Sequence, residues 1–131
     1  MRPPRKWNLP LTYRPKIARV ASGEIRQTIR PGLKYTVGDW VAVHGWEGRP
    51  YRSRWTGRTP YFELKKVIDI VLFPEGIGNQ WICLIPWGDR AADELAQRDG
   101  IDPPTGQELG RVLMEMHDLP DDGMDFQVLR W

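Results

Sequence analysis

A length of 131 residues, with 40% hydrophobic and 27% charged residues, fits one globular domain with a single core and excludes two full domains. No apolar run approaches the roughly 20 residues of a membrane span, and no apolar run follows the basic start, so we expect a cytoplasmic protein without a secretory signal. The net charge of +2 conceals a division, because residues 1–66 hold 15 of the 19 basic and 4 of the 17 acidic residues. The two halves either pair in the fold or present a basic face to a polyanion.

The chain begins with a basic, proline-containing segment that resists regular structure. We therefore assign residues 1–9 to a loose basic N-terminal arm and residues 10–131 to a single domain. Within that domain, apolar residues at helical spacing predict a first helix over residues 14–22, which Gly23 ends.

Five segments with the composition or alternation of strands follow, at residues 26–30, 40–44, 62–72, 80–85 and 124–131. The segment 45–61 has no clear period, and its first half contains glycines and a proline, which indicates a long loop or a protruding hairpin. A turn at residues 74–79 joins the third and fourth strands as a second hairpin.

Two helices are predicted before the last strand. Asp89 is placed to cap the first, which runs to about Asp99 and is closed by Gly100. Thr105 and Glu108 have the spacing of a capping box at the start of the second. This order of elements predicts an α+β fold with a largely antiparallel, curved sheet.

Asp99 is the first candidate functional residue, because helical spacing from Leu95 and Ala96 places it along the apolar face of its helix. A carboxylate in that position is either paired or has a raised pKa. It is therefore a helix-end residue that reaches solvent or caps the next turn, or a carboxylate that faces Thr28 and Arg30 across a cleft.

Thr28 and Arg30 share one face of their predicted strand with Arg26. Arginines that flank a hydroxyl suit a phosphate or the edge of a base. The alternative is an ordinary strand whose arginines pair with the acidic half of the chain.

The segment 46–61 interleaves cations with aromatic rings, the mixture with which single-strand binders neutralise phosphates and stack on bases. The same residues could pack on one another through cation–π contacts as a cover over the fold, or contact a partner protein. The candidate ligand-binding residues of this segment are Trp46, Arg49, Tyr51, Arg52, Arg54, Trp55 and Arg58.

The remaining polar candidates are assigned structural roles. His44 lies on a strand face beside Trp40, and His117 ends an apolar helix, where a cation is favourable. The single cysteine, Cys83, cannot build a cysteine-based zinc site, and we predict no metal and no cofactor.

Several short motifs follow one another along the chain. The segment Ser-Gly-Glu-Ile-Arg-Gln-Thr-Ile-Arg-Pro at 22–31 resembles the opening motif of ASCH domains, and Gly38-Asp39 before an apolar strand is similar to the next signature of that family. The segment 91–101 resembles the family helix with its acidic-Gly-apolar ending, and 125–131 resembles the closing strand. The resemblance covers roughly residues 10–131. The form with Arg-Gln-Thr-Ile-Arg and a terminal Arg-Trp resembles members common in phages and prophages.

The resemblance implies a PUA-like curved antiparallel β-barrel with flanking helices, which binds single-stranded RNA or nucleotides in a cleft beside the barrel. It also implies an alternative activity, since some small members are amidohydrolases that remove the acyl group of N4-acylated cytidine with a lysine, a threonine and an acidic residue. Thr28 and Asp99 match two of these catalytic positions, whereas Ile25 stands at the lysine position and weakens the enzyme interpretation. A phage-encoded protein that modulates a host factor is a third hypothesis.

Overall fold

The computed structural model describes residues 2–11, 14–74, 81–84, 89–117 and 123–131. Within these ranges the fold is α+β, as predicted, with eight strands and three helices. The strands are β1 Lys6–Pro10, β2 Gln27–Pro31, β3 Trp40–Trp46, β4 Trp55–Thr56, β5 Phe62–Glu63, β6 Lys66–Pro74, β7 Trp81–Leu84 and β8 Met124–Arg130. The helices are α1 Arg14–Ala21, α2 Asp89–Asp99 and α3 Gly106–Met116.

The strands form two sheets. In the first, β3 pairs with β1, β4 and β5, and in the second the order is β2-β8-β6-β7. The pairing is antiparallel except between β1 and β3, which run parallel. Within the described ranges the two sheets are not closed into one, so the antiparallel α+β prediction holds at that level and a closed barrel is not established.

Strand β8 connects the two halves of the hydrophobic core, because successive side chains of a strand point to opposite faces. Phe126 and Val128 pack with residues of α2 and α3 in one buried cluster. Leu129 packs in the other cluster, with residues of α1 and the first sheet. The first cluster includes residues of β2 and α2, and the second includes Val20 of α1, so the two clusters support the elements that surround the site.

The N-terminal segment is not a loose arm from Lys6 onward, because β1 pairs along its length with β3. The segment before it is held by Asp39, whose carboxylate accepts hydrogen bonds from the Arg2 guanidinium at 2.7 Å, the backbone N–H of Arg5 and the indole N–H of Trp7. Burial alone would raise the pKa of Asp39, but these hydrogen bonds outweigh it and hold the pKa well below its usual range. The predicted arm thus belongs to the folded domain.

Several predicted elements occur with shifted bounds. Part of the segment 45–61 forms a hairpin over residues 45–56, in which Gly45 pairs with Thr56 and Trp46 with Trp55. The single strand predicted over 62–72 is divided into β5 and β6, because the chain crosses there from the first sheet to the second. The turn predicted at 74–79 lies outside the described residues after Pro74.

The helix termini agree partly with the capping predictions. Thr105 caps α3 as expected, with its hydroxyl accepting from the Glu108 N–H at 3.1 Å. Asp89, predicted as the cap of α2, is instead the first residue of that helix. No helix in the described part of the chain has the length and apolar character to cross a membrane.

Candidate functional site: a charged cavity beneath a basic aromatic hairpin

A cavity of about 210 Å³ lies where β2, α1, the α2–α3 connection and the protruding hairpin come together. Its walls are mostly aliphatic, with contributions from Leu11, Ile29, Ile101, Leu109 and Leu113. Its polar side chains are few and chemically diverse: Lys16, Thr28, Arg30, Tyr51, Asp99 and His117. Apolar walls with a small number of convergent polar groups are the usual composition of a small-ligand site.

A buried ion pair lies at the centre of these groups. The Lys16 ammonium donates to Asp99 Oδ1 at 2.8 Å, and the two side chains are 4% and 9% exposed. Burial lowers the pKa of Lys16, as does the nearby Arg30 charge to a smaller extent, while Asp99 acts in the opposite direction. A buried lysine with a shifted pKa is typical of sites that transfer a proton or bind a charged ligand.

Asp99 is held in place from several sides. It is the last residue of α2, and Gln27 donates from Nε2 to the Leu95 carbonyl at 3.0 Å and to Asp99 Oδ1 at 3.4 Å. Arg130 in turn donates to Gln27 Oε1 at 2.9 Å. Gln27, at the start of β2, therefore orients the Asp99 carboxylate, and Arg130, at the end of β8, orients Gln27.

Gly100 lets the chain turn immediately after Asp99. Its φ is +78°, and a Cβ there would lie 2.3 Å from Ile25 Cδ1, so both backbone conformation and space require glycine. Ile25 is 2% exposed and belongs to the core cluster around α1. The residue at the expected lysine position is thus a packing residue, and the lysine of the cavity comes from α1 instead.

Arg30 lies next to Thr28 along the inward face of β2. Thr28 is 3% exposed. The Arg30 guanidinium donates from Nη2 to the Pro10 carbonyl, while its Nε is buried and has no hydrogen-bond partner within the described residues. Burial lowers the pKa of Arg30, yet a guanidinium remains charged at neutral pH.

His117 and Tyr51 complete the cavity from two different elements. His117 follows α3 as its C-cap and packs edge-on against Phe126, with ring centroids 5.4 Å apart. Burial, with a contribution from Arg30, lowers the pKa of His117, which favours the neutral imidazole. Tyr51 is 70% exposed and still lines the cavity, so the cavity reaches the surface beside this ring.

The hairpin carries a chain of ring contacts. Trp55 stacks on the buried His44, with ring centroids 3.9 Å apart and planes 15° apart, and Trp46 tilts against Tyr51 at 5.1 Å. The Arg58 guanidinium lies 5.7 Å from the Trp55 ring centroid. These contacts fix the shape of the hairpin and leave Trp55 47% exposed.

The structure brings together only some of the residues predicted for the site. Thr28, Arg30, Tyr51 and Asp99 line one cavity. Arg26 is exposed and lies before β2, with its Nε 3.4 Å from the Gly23 carbonyl, so its predicted place beside Thr28 is wrong. The other predicted side chains lie on or beside the hairpin and outside the cavity wall: Trp46, Arg49, Arg52, Arg54, Trp55 and Arg58.

Lys16 and His117 are cavity residues that the sequence analysis did not select. For Lys16 a signal existed, since it stands four residues before the buried Val20 and therefore on the apolar face of α1. For His117 the position at the end of a helix predicted a favourable interaction with the helix dipole. The residues near it in the sequence gave no sign that it would line a cavity together with β2.

The described residues contain no cluster of three or more His, Cys, Asp or Glu side chains suited to hold a metal ion. Comparison of the chain with protein-family models, curated proteins and solved structures finds no match.

The buried pair gives a prediction on stability. Lys16→Met or Asp99→Leu alone leaves one buried charge without its partner, so each should lower the free energy of unfolding by about 3 kcal/mol. The double variant should lose less than the sum, with a coupling energy above about 1 kcal/mol in urea denaturation.

The matched control is the exposed pair Arg98 and Glu94, with N–O distance 3.0 Å. The same substitutions there, Arg98→Met and Glu94→Leu, should couple by no more than about 0.5 kcal/mol because solvent screens the pair. Additive losses at Lys16 and Asp99 would show that their contact is not energetically significant.

Proposed function

We propose that this protein is an ASCH-type, PUA-like domain that binds single-stranded RNA or a nucleotide, with one terminal unit in the cavity and the adjoining nucleotides on the hairpin. The observation that carries this proposal is the position of Tyr51. This hairpin residue forms part of the wall that also contains Thr28, Arg30 and Asp99, so the cavity and the basic aromatic surface are continuous.

The size of the cavity supports a single-unit occupant. Its 210 Å³ is below the roughly 300–1,000 Å³ of pockets that enclose drug-sized ligands. One nucleotide, or part of one, suits this space, whereas a longer strand has to continue outside it.

The hairpin supplies the chemistry for that continuation. Tyr51 and Trp55 are exposed rings on which bases can stack. Three exposed arginines lie in the connection between β3 and β4: Arg49, Arg52 and Arg54. Stacking tolerates every base, and the arginines neutralise phosphates irrespective of sequence. We therefore expect modest sequence preference and strong dependence on salt.

A fluorescently labelled single-stranded RNA, followed by anisotropy, tests the binding proposal. Affinity should fall steeply as salt rises, and Arg52→Ala together with Arg54→Ala should reduce the slope of log K against log salt by roughly one per lost phosphate contact. Trp55→Ala should weaken binding about tenfold through lost stacking.

Two variants remote from the hairpin serve as matched controls. Arg98→Ala removes an exposed arginine on α2, and Trp40→Ala removes a 38%-exposed ring at the opposite end of β3. Both should bind as the unaltered protein does. Salt-independent binding, or equal losses in the control variants, would contradict a hairpin-based nucleic-acid surface.

A second candidate function, hydrolysis of an N4-acylated cytidine-type nucleoside, is favoured by the Lys16–Asp99 pair. Lys16 from α1 lines the same cavity as Thr28 and supplies a lysine beside Asp99. This supports the candidate activity although Ile25 stands at the lysine position of the family motif.

Hydrolysis of the acyl amide would use three cavity residues: Asp99, Lys16 and Thr28. Water adds to the acyl carbonyl carbon while Asp99 accepts its proton, and the Lys16 ammonium donates to the developing oxyanion. The carbon–nitrogen bond then breaks, and the proton passes to the departing amine, which releases the free nucleoside and a carboxylic acid. Thr28 positions the acyl group or the water.

Incubation with N4-acetylcytidine and chromatographic detection of cytidine test this candidate. Asp99→Asn keeps the volume but removes the proton acceptor, so turnover should fall at least a hundredfold. Glu94→Gln, an exposed carboxylate on the same helix, should keep full turnover. Absence of turnover by the unaltered protein, or equal turnover by Asp99→Asn, would rule the activity out.

A further inference from the structure

The charge balance of the cavity suggests what kind of group enters it. Among the described lining residues, Lys16 and Asp99 neutralise each other at 2.8 Å, and burial lowers the pKa of His117, which favours its neutral form. The Arg30 guanidinium remains, because Asp99 lies near enough to attract it but no ion pair joins Arg30 to a carboxylate within the described residues. A mostly buried charge without a counterion is costly unless a ligand supplies one.

The hydrogen-bond balance points the same way. Arg30 uses Nη2 on the Pro10 carbonyl, whereas its buried Nε has no partner in the described part of the chain. The indole Nε1 of Trp46 is also a buried donor without a partner among the described residues, but Trp46 lies outside the cavity wall. The unused donor within the cavity lining is therefore the Arg30 Nε. Buried donors in native proteins are rarely left unpaired, so a ligand rich in acceptors fits here.

We propose that the cavity receives a terminal phosphate, held by Arg30 and carried by a nucleotide or by the end of an RNA strand. This inference rests on the proposed binding function and specifies the group recognised. A phosphate monoester brings both the missing negative charge and several acceptor oxygens to a guanidinium.

A terminal group fits better than an internal one. The cavity is small and reaches the surface beside Tyr51. An internal phosphodiester continues as a chain on both sides and would need two exits, whereas a strand end needs one. The aliphatic wall from Ile101 and Leu113 then packs against the sugar or base next to the phosphate.

The test compares one labelled RNA sequence with a 5′-hydroxyl, a 5′-phosphate or a 3′-phosphate, measured by anisotropy at fixed salt. One phosphorylated end should bind about tenfold or more tightly than the hydroxyl form. Arg30→Gln should abolish that difference, so that the phosphorylated and hydroxyl RNAs bind this variant equally. Arg30→Lys, which keeps the charge but not the fork of donors, should retain part of it.

A parallel titration with cytidine and cytidine 5′-monophosphate, followed by calorimetry, separates free nucleotide from strand end. Binding of the monophosphate but not of the nucleoside, lost in Arg30→Gln, supports recognition of the phosphate even where no RNA binds. RNA binding that ignores the terminal group, with no monophosphate binding, overturns this inference and leaves the proposed RNA surface standing. Thermal melts of both Arg30 variants verify that the Pro10 contact is not needed for folding.

Discussion

The site depends on one buried ion pair, because Lys16 from α1 and Asp99 from the end of α2 meet across the inner face of β2. The contact ties together elements that are 83 residues apart in the chain, and Gln27 and Arg130 extend it into the second sheet. Removing either charge would leave its partner unpaired in an apolar setting. The pair therefore fixes the geometry of the cavity and keeps Lys16 and Asp99 compensated by each other.

Arg30 and the hairpin are the parts of the site that bear on which ligand it binds. With Lys16 and Asp99 paired, the Arg30 guanidinium and its Nε, which has no partner among the described residues, support the proposed preference for an anionic ligand. Tyr51 connects that interior to the exposed rings and arginines outside. The division of charge along the sequence is reflected in the site, because the basic half supplies Lys16, Arg30 and the hairpin, while the acidic half contributes Asp99, the carboxylate that lines the cavity.

Local patterns predicted much of the fold but only part of the site. Helical spacing, Gly100 and the Thr105 cap located the helices, and alternation located β2, β3 and β8, because these signals act within a few residues. The strand at Lys6–Pro10 was missed, since its partner β3 lies 34 residues away and two prolines at the start suggested a loose arm. Asp99 was found from its place on an apolar helix face. Lys16 had the same signal and was missed because the lysine was expected at position 25.

The central claim, that the cavity and the hairpin form one binding site, is tested most directly by an amide chemical-shift titration of the labelled protein with a short 5′-phosphorylated single-stranded RNA. We expect the amides of Arg30, Asp99 and Tyr51 to shift together with those of the hairpin and to report one dissociation constant. Shifts confined to the hairpin, with the amides of Arg30 and Asp99 unmoved at saturation, would contradict the claim.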